Sequence, residues 1–168
     1  MTHKYSISST ESEENNTYLS YNMVVGNAAD SQMAMAFEVL DYALLSAPGA
    51  PLKQALLDVK AGKDVYGSYD DGILQPYFTV IAKGSNPDRK EEFVSVIRQV
   101  LGDIVKNGID KKAVEAGINY FEFRYREADF GHFPKGLLYG IQCLDSWLYD
   151  DMRPFLHLEA LDTYRFLK

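Results

Sequence analysis

The run Leu40 to Lys63, Leu-Asp-Tyr-Ala-Leu-Leu-Ser-Ala-Pro-Gly-Ala-Pro-Leu-Lys-Gln-Ala-Leu-Leu-Asp-Val-Lys-Ala-Gly-Lys, contains a helix end, a tight turn and the start of a second helix. Upstream, Met33, Phe37, Leu40 and Leu44 recur at spacings of four, three and four, so one stripe of a first helix faces a core, with Asp30 or Ser31 as its cap. Pro48 and Gly49 stop that helix. Pro51 suits the first turn of the next one, where a missing N–H is no loss, and Leu52, Ala55, Leu56 and Val59 give it an apolar face. Gly62 is expected to close it in a left-handed conformation.

Outward from this hinge the period changes. Leu19, Tyr21, Met23 and Val25 alternate with Ser20, Asn22 and Val24, the pattern of a strand with one buried face. Val65–Tyr69 and Leu74–Lys83 flank the turn Asp70-Asp71-Gly72 and read as an antiparallel hairpin. In its second arm Leu74, Phe78, Val80 and Ala82 share one face, and Gln75, Tyr77, Thr79 and Lys83 the other; Pro76 belongs at an edge, a strand start or a bulge. Asn86-Pro87 opens a long helix with Phe93, Ile97, Val100, Leu101 and Ile104 on its core stripe up to Gly108. Asp110 caps a further helix through Val114, Ile118, Phe121 and Tyr125, and the break Phe130-Gly131-His132-Phe133-Pro134 leads to a helix with Leu137, Leu138, Ile141, Leu144 and Leu148 facing inward. Phe155, Leu158, Leu161 and Phe166 repeat the helical spacing at the end of the chain, which stops without a cap; it is expected to be a piece of a longer polypeptide, truncated at its C-terminus. The order implies an α+β fold, an antiparallel sheet with helices packed mainly on one face. Residues 1–17 read as a polar segment with a short edge strand at Tyr5 and Ile7 followed by a loop, and residues 18–168 as a single domain.

Composition narrows the function. The chain has 168 residues, 46% of them hydrophobic, enough for one core. Seventeen basic against twenty-four acidic side chains leave a net charge of −7 without a basic cluster, which argues against nucleic acid. No apolar run approaches the ~20 residues that span a bilayer, and the N-terminus has no signal-peptide pattern, so no membrane contact and a cytoplasmic location are expected. Cys143, the single cysteine, sits in an apolar-rich segment and reads as a buried, inert thiol.

Local constellations favour ordinary structural roles. His157 and Glu159, with Asp150-Asp151, carry oxygen and nitrogen donors, but positions i and i+2 of a helix diverge, so a solvated helix start outweighs a metal site. Glu122, Arg124, Arg126 and Glu127 read as a charged helix face with i to i+4 pairing. Trp147, flanked by Asp145, Asp150 and Asp151, fits a core position better than a sugar-binding patch. His132 is a lone loop histidine.

Three stretches carry a resemblance that spans about 18–168: Leu40 to Lys63, Asn107-Gly108-Ile109-Asp110-Lys111-Lys112, and Phe123 to Asp151 with Phe-Arg-Tyr-Arg-Glu-Ala-Asp-Phe-Gly, Tyr-Gly-Ile and Asp-Ser-Trp-Leu-Tyr-Asp-Asp. Together they resemble the insulinase or pitrilysin-type zinc metallopeptidases, in the presequence-protease branch, and within it the non-catalytic second domain of the N-terminal half. The resemblance implies the mitochondrial-processing-peptidase-like metallohydrolase fold and a place in the wall of a chamber where unstructured peptides are cut. The family's inverted His-x-x-Glu-His zinc helix is not present around His3, His132 or His157, so no catalytic or metal residue is carried over. Arg124, Tyr125 and Arg126 lie in the wrong domain to match the family's distal arginine and tyrosine.

Zinc is accordingly expected in the catalytic domain of the parent protein, the partners being that domain and an unfolded peptide, with a non-native dimer of the isolated chain as a further expectation. In related enzymes the strand after the short second helix pairs with the end of a bound peptide, which places Tyr66, Gly67, Ser68 and Tyr69 at a peptide site that works by β-augmentation. The plain alternative is an ordinary strand with Gly67 at a bulge. For the whole chain the alternative is a free-standing interaction or structural module without protease context.

Overall fold

The structure, a computed structural model, describes residues 1–128 and 130–168. Asp129, inside the Phe-Arg-Tyr-Arg-Glu-Ala-Asp-Phe-Gly run, lies outside the described residues. Strands β1 (Thr17–Val24), β2 (Asp64–Asp70) and β3 (Tyr77–Ser85) form an antiparallel sheet in the order β1-β3-β2. The helices are α1 (Ser31–Asp41), α2 (Pro51–Asp58), α3 (Lys90–Asn107), α4 (Lys111–Glu127), α5 (Lys135–Trp147) and α6 (Leu161–Leu167).

Strand alternation produces two unlike faces. Leu19, Val65, Phe78, Val80 and Ala82 point inward and meet Leu45, Leu52, Leu56, Phe93 and Ile97, which seals the sheet under α2, α3 and the end of α1. On the other face the register aligns Tyr18 with Lys83 and Asp64, Ser20 with Ile81 and Tyr66, and Asn22 with Thr79 and Ser68, and the outer-strand residues of these rows, with Lys83, are exposed. Helices therefore pack on one face, as the period-two pattern requires. Thr79, buried in the central strand, donates its hydroxyl hydrogen to Asn22 Oδ1 at 2.9 Å. Leu74 departs from the expected pattern: it precedes β3 and is 47% exposed, while Pro76 is buried at the strand start and accepts the Val25 N–H.

Helix α1 is buried on two sides rather than along one stripe. Asp30 caps it by accepting the Met33 N–H at 2.9 Å. Phe37 and Leu40 face the sheet core, whereas Met35 and Val39 join Ile118, Ala160 and Tyr164 in a second cluster under α4 and α6. Met33, assigned to the stripe by spacing, is exposed. The helix then widens into a π-helical turn at Tyr42–Ser46, closed by Ala47 N–H to Tyr42 O at 2.7 Å, which buries Ala43, Leu44 and Leu45 in succession. Pro51 starts α2 as expected.

The left-handed residue that ends α2 is Lys60 (φ 54°), not Gly62. Its N–H reaches Leu57 O and that of Ala61 reaches Leu56 O, the paired bonds of a Schellman ending. Gly62 serves a different need: a Cβ there would lie 2.7 Å from the Lys83 carbonyl oxygen of β3. Because a side chain is strained in the left-handed region, Lys60→Gly is expected to stabilise the chain by roughly 0.5–1 kcal/mol in a urea melt, and a lower midpoint would contradict the assignment.

At the N-terminus no strand forms at Tyr5 and Ile7; Tyr5 instead hydrogen-bonds Asn16 and stacks edge-on against Tyr18. At the other end α6 buries Thr163 and Tyr164, while Phe155 and Phe166, expected inward, are exposed. The larger departure is α5. Leu137, Ile141, Leu144 and Leu148 are 46 to 68% exposed, and Trp147 58%. The buried residue of α5 is polar: Ser146 Oγ and His157 Nδ1 lie 2.5 Å apart in a hydrogen bond, and the His157 backbone N–H donates to the same Oγ at 3.1 Å. Cys143 on this helix is half-buried. No helix among the described residues is long and apolar enough to cross a membrane.

Candidate functional site

The four residues expected to meet a peptide are divided by the pleat of β2. Tyr66 and Ser68 lie on the open face, opposite Ile81 and Thr79. Gly67 and Tyr69 lie on the inner face, Tyr69 stacked on Phe37 with ring centroids 5.5 Å apart. Burial, then the carboxylates of Asp71, Glu38 and Asp30, push the Tyr69 hydroxyl well above the usual tyrosine range.

Gly67 does not mark a bulge, since the β2–β3 register runs without a shift from Asp64 to Asp70. A Cβ on it would lie 2.3 Å from Leu45 Cδ1, 2.6 Å from Asp41 Oδ1 and 2.9 Å from Thr79 O, so glycine lets the π-helical turn sit directly on the sheet. Asp41 Oδ1 is buried there with no hydrogen-bond partner, and burial raises that carboxyl. Among the described residues β2 pairs with β3 alone, which leaves its other edge open to main-chain pairing. The Val65 N–H is bound by the Asp64 carboxylate at 2.8 Å.

A second feature is a cavity of about 300 Å³ between α1, α4, α5, α6 and the β2–β3 loop. Glu38, Asp71, Asp145, Arg124 and His157 reach into it, with Tyr139, Tyr164 and Phe121 among its aromatic walls. Burial and the neighbouring Asp71 push the Glu38 carboxyl up to about 7, against the opposing pull of Arg124. Asp145 is raised for the same reasons, burial first and Asp71 second. Sequence reading passed over Glu38, although one sign was available: it interrupts a helix whose neighbours Phe37, Val39 and Leu40 are all apolar. Asp71 read only as part of a turn, and its approach to Glu38 is a product of the tertiary fold.

The remaining constellations are structural. Arg126 donates to Glu122 Oε1 through Nε at 2.9 Å and through its terminal nitrogen at 2.6 Å, and Lys168 pairs with the same carboxylate, which together hold it below its usual range. Arg124 lies over the Tyr120 ring at 5.7 Å instead of pairing on this face. Asp150 binds Arg153, and His157 is engaged by Ser146, so these two do not converge with Glu159. Trp147 projects to solvent and is not core. Among the described residues no group of histidine, cysteine, aspartate and glutamate side chains is arranged to hold a metal ion.

Comparison with known proteins gives a consistent grouping. The profile of the family described as "Peptidase M16 inactive domain" matches residues 2–121. Protein HypA of Clostridium perfringens is 44% identical over 155 residues, 92% of this chain and 16% of that protein. Presequence protease 1, chloroplastic/mitochondrial, of Arabidopsis thaliana is 34% identical over 140 residues, 83% of this chain and 13% of that protein. This chain thus spans roughly a sixth or less of the curated relatives it matches. Among solved structures, the inactive peptidase domain of a candidate zinc protease from Bordetella parapertussis superposes with a TM-score of 0.70 at 13% identity, covering 90% of this chain and 79% of that one, a likeness of fold.

Proposed function

Since the chain belongs to the M16 peptidase family through its inactive domain, we propose that it is the non-catalytic domain of a zinc-dependent metalloendopeptidase that degrades unstructured peptides, and that it forms part of the substrate chamber. Its immediate partner is the zinc-bearing catalytic domain of the same polypeptide. The observation that carries this reading is the apolar side of α5, where Leu137, Ile141, Leu144 and Leu148 meet solvent in a row. A stripe of that kind on a domain with its own closed core marks a surface for another protein surface. Relatives several times longer than this chain supply the neighbour. Exposed in isolation, the same stripe would support a non-native dimer.

Tyr66, Gly67, Ser68 and Tyr69 serve in this proposal as a peptide exosite remote from the zinc. The open edge of β2 supports it, because a peptide can add there as a further strand. Main-chain pairing would supply affinity, and the exposed Tyr66 ring the side-chain contact. Proline at Gly67 cannot test this, since it would also disturb the contact with Leu45.

The domain assignment is tested with a long fluorogenic peptide. Turnover is expected only in the full-length protein and only without a zinc chelator; chelator-sensitive turnover by the 168-residue chain would overturn it. The exosite is tested separately with peptides N-methylated at alternate backbone positions far from the scissile bond. KM is expected to rise several-fold over that of the unmethylated peptide, with kcat little changed, and equal constants for the methylated and unmethylated peptides would remove the strand from the substrate path.

A further inference from the structure

We propose that the cavity lined by Glu38, Asp71 and Asp145 is a binding site for a guanidinium group, the end of an arginine side chain. Its lining is unbalanced in charge. Three carboxylates, none of them with a hydrogen-bond partner among the described residues, face one arginine, and Arg124 lies over Tyr120 rather than against them. Surface carboxylates need no partner because water solvates them. Glu38 is different: it is withdrawn from water far enough that its proton is held to about pH 7.

A second observation comes from a different group. His157 also lines this space, and its Nε2 is buried without a hydrogen-bond partner. Its Nδ1 is taken up by Ser146 Oγ. When Nδ1 carries the hydrogen, Nε2 is a buried acceptor without a donor beside the carboxylate-lined cavity. A guanidinium supplies five N–H donors in one plane, enough to serve several of these acceptors at once. Phe121, Tyr125, Phe130, Tyr139 and Tyr164 line the same space, and aromatic rings are favourable neighbours for a planar cation. Phe130 and Tyr139 already stand edge to face with centroids 5.2 Å apart, which fixes one wall.

Metal binding does not fit this donor set, because among the described residues no three such side chains converge at ligand distances. The site is independent of the β2 edge, and its test needs no peptidase activity. The guanidinium has two sources with the same chemistry: an arginine of a bound peptide, or an arginine from the remainder of a longer polypeptide.

Titration of the 168-residue chain with N-acetylargininamide, followed by amide chemical shifts, should perturb Glu38, Asp71 and Asp145 saturably with Kd in the millimolar range. N-acetylcitrullinamide, the same shape without charge, should bind at least tenfold more weakly. Glu38→Gln and Asp145→Asn should each weaken the arginine probe several-fold, with the shift spectrum showing a folded chain. Equal response to the citrulline analogue, or unchanged affinity in both variants, overturns the proposal. Repeating the titration on the full-length protein separates the sources: retained binding assigns the pocket to peptide arginine, and binding seen only in the shorter chain assigns it to an arginine of the polypeptide itself.

Discussion

Gly67→Ala is expected to lower the stability of the chain by roughly 3 kcal/mol, toward the upper end for overpacking in a tight core. The added methyl would overlap Leu45 Cδ1 at 2.3 Å, Asp41 Oδ1 at 2.6 Å and the Thr79 carbonyl oxygen at 2.9 Å. Leu45 is buried and held on both sides by the core, and a backbone carbonyl in the central strand cannot move without breaking the ladder. Relief therefore requires lifting the π-helical turn off the sheet. The change would be read as a lower urea midpoint at unchanged slope. Gly140→Ala is the control: nothing lies within 4 Å of a Cβ there, and alanine in the body of α5 should stabilise by about 1 kcal/mol. Equal effects at the two positions would refute the close approach.

Glu38→Gln is expected to stabilise the chain above neutrality and to leave it unchanged in acid. The carboxyl rises from its ordinary 4.5 to about 7 through burial first, then repulsion by Asp71 and Asp41, offset in part by Arg124. A raised carboxyl binds its proton more tightly in the folded chain than in the unfolded one. Stability due to this group is thus unimpaired below pH 4.5, falls as pH rises between 4.5 and 7, and stays low above that. At ~1.36 kcal/mol per pH unit the full difference is roughly 3 kcal/mol. Asp41 and Asp145, also raised, act in the same direction in both proteins, so the difference between parent and variant reports Glu38 together with its repulsion of Asp71 and Asp41. Thermal melts at pH 4 and pH 8 would show it. A variant with the same gain at both values would mean that packing and not charge is responsible.

Most of the element order was legible because each element carries a local signal. The alternation from Leu19 to Met23, the Pro-Gly stop before Pro51, and Asp110 at the start of α4 are each settled by neighbours in sequence, and each appears in place. The misreadings share a different cause. Met33 and Phe166 obey helical spacing but lie beyond the surfaces that would cover them, and the left-handed residue after α2 was set by the closing hydrogen bonds of Lys60 and Ala61 rather than by the nearest glycine.

The candidate sites divide the same way. The position of β2 after the second helix could be read directly, and with it the proposed peptide strand. That its residues alternate between an open face and a crowded core, and that Gly67 is needed for contact with Leu45, depended on helix and sheet meeting. Glu38, Asp71 and Asp145 are 33 or more positions apart and share no motif, so no pattern could have grouped them.

By itself the sequence determined the α+β class, the hinge at Pro48 and Gly49, and the family, because helix stops, strand alternation and motif spacing are encoded within a few residues of one another. Only the tertiary structure decided which apolar stripes are covered. The periodicity of α3 and that of α5 look alike in the sequence, yet Phe93 and Ile97 are sealed against the sheet while Leu144 and Leu148 face solvent. A stripe specifies that a helix can bury one side, and whether it does depends on a facing surface that lies far away in the chain, or outside it.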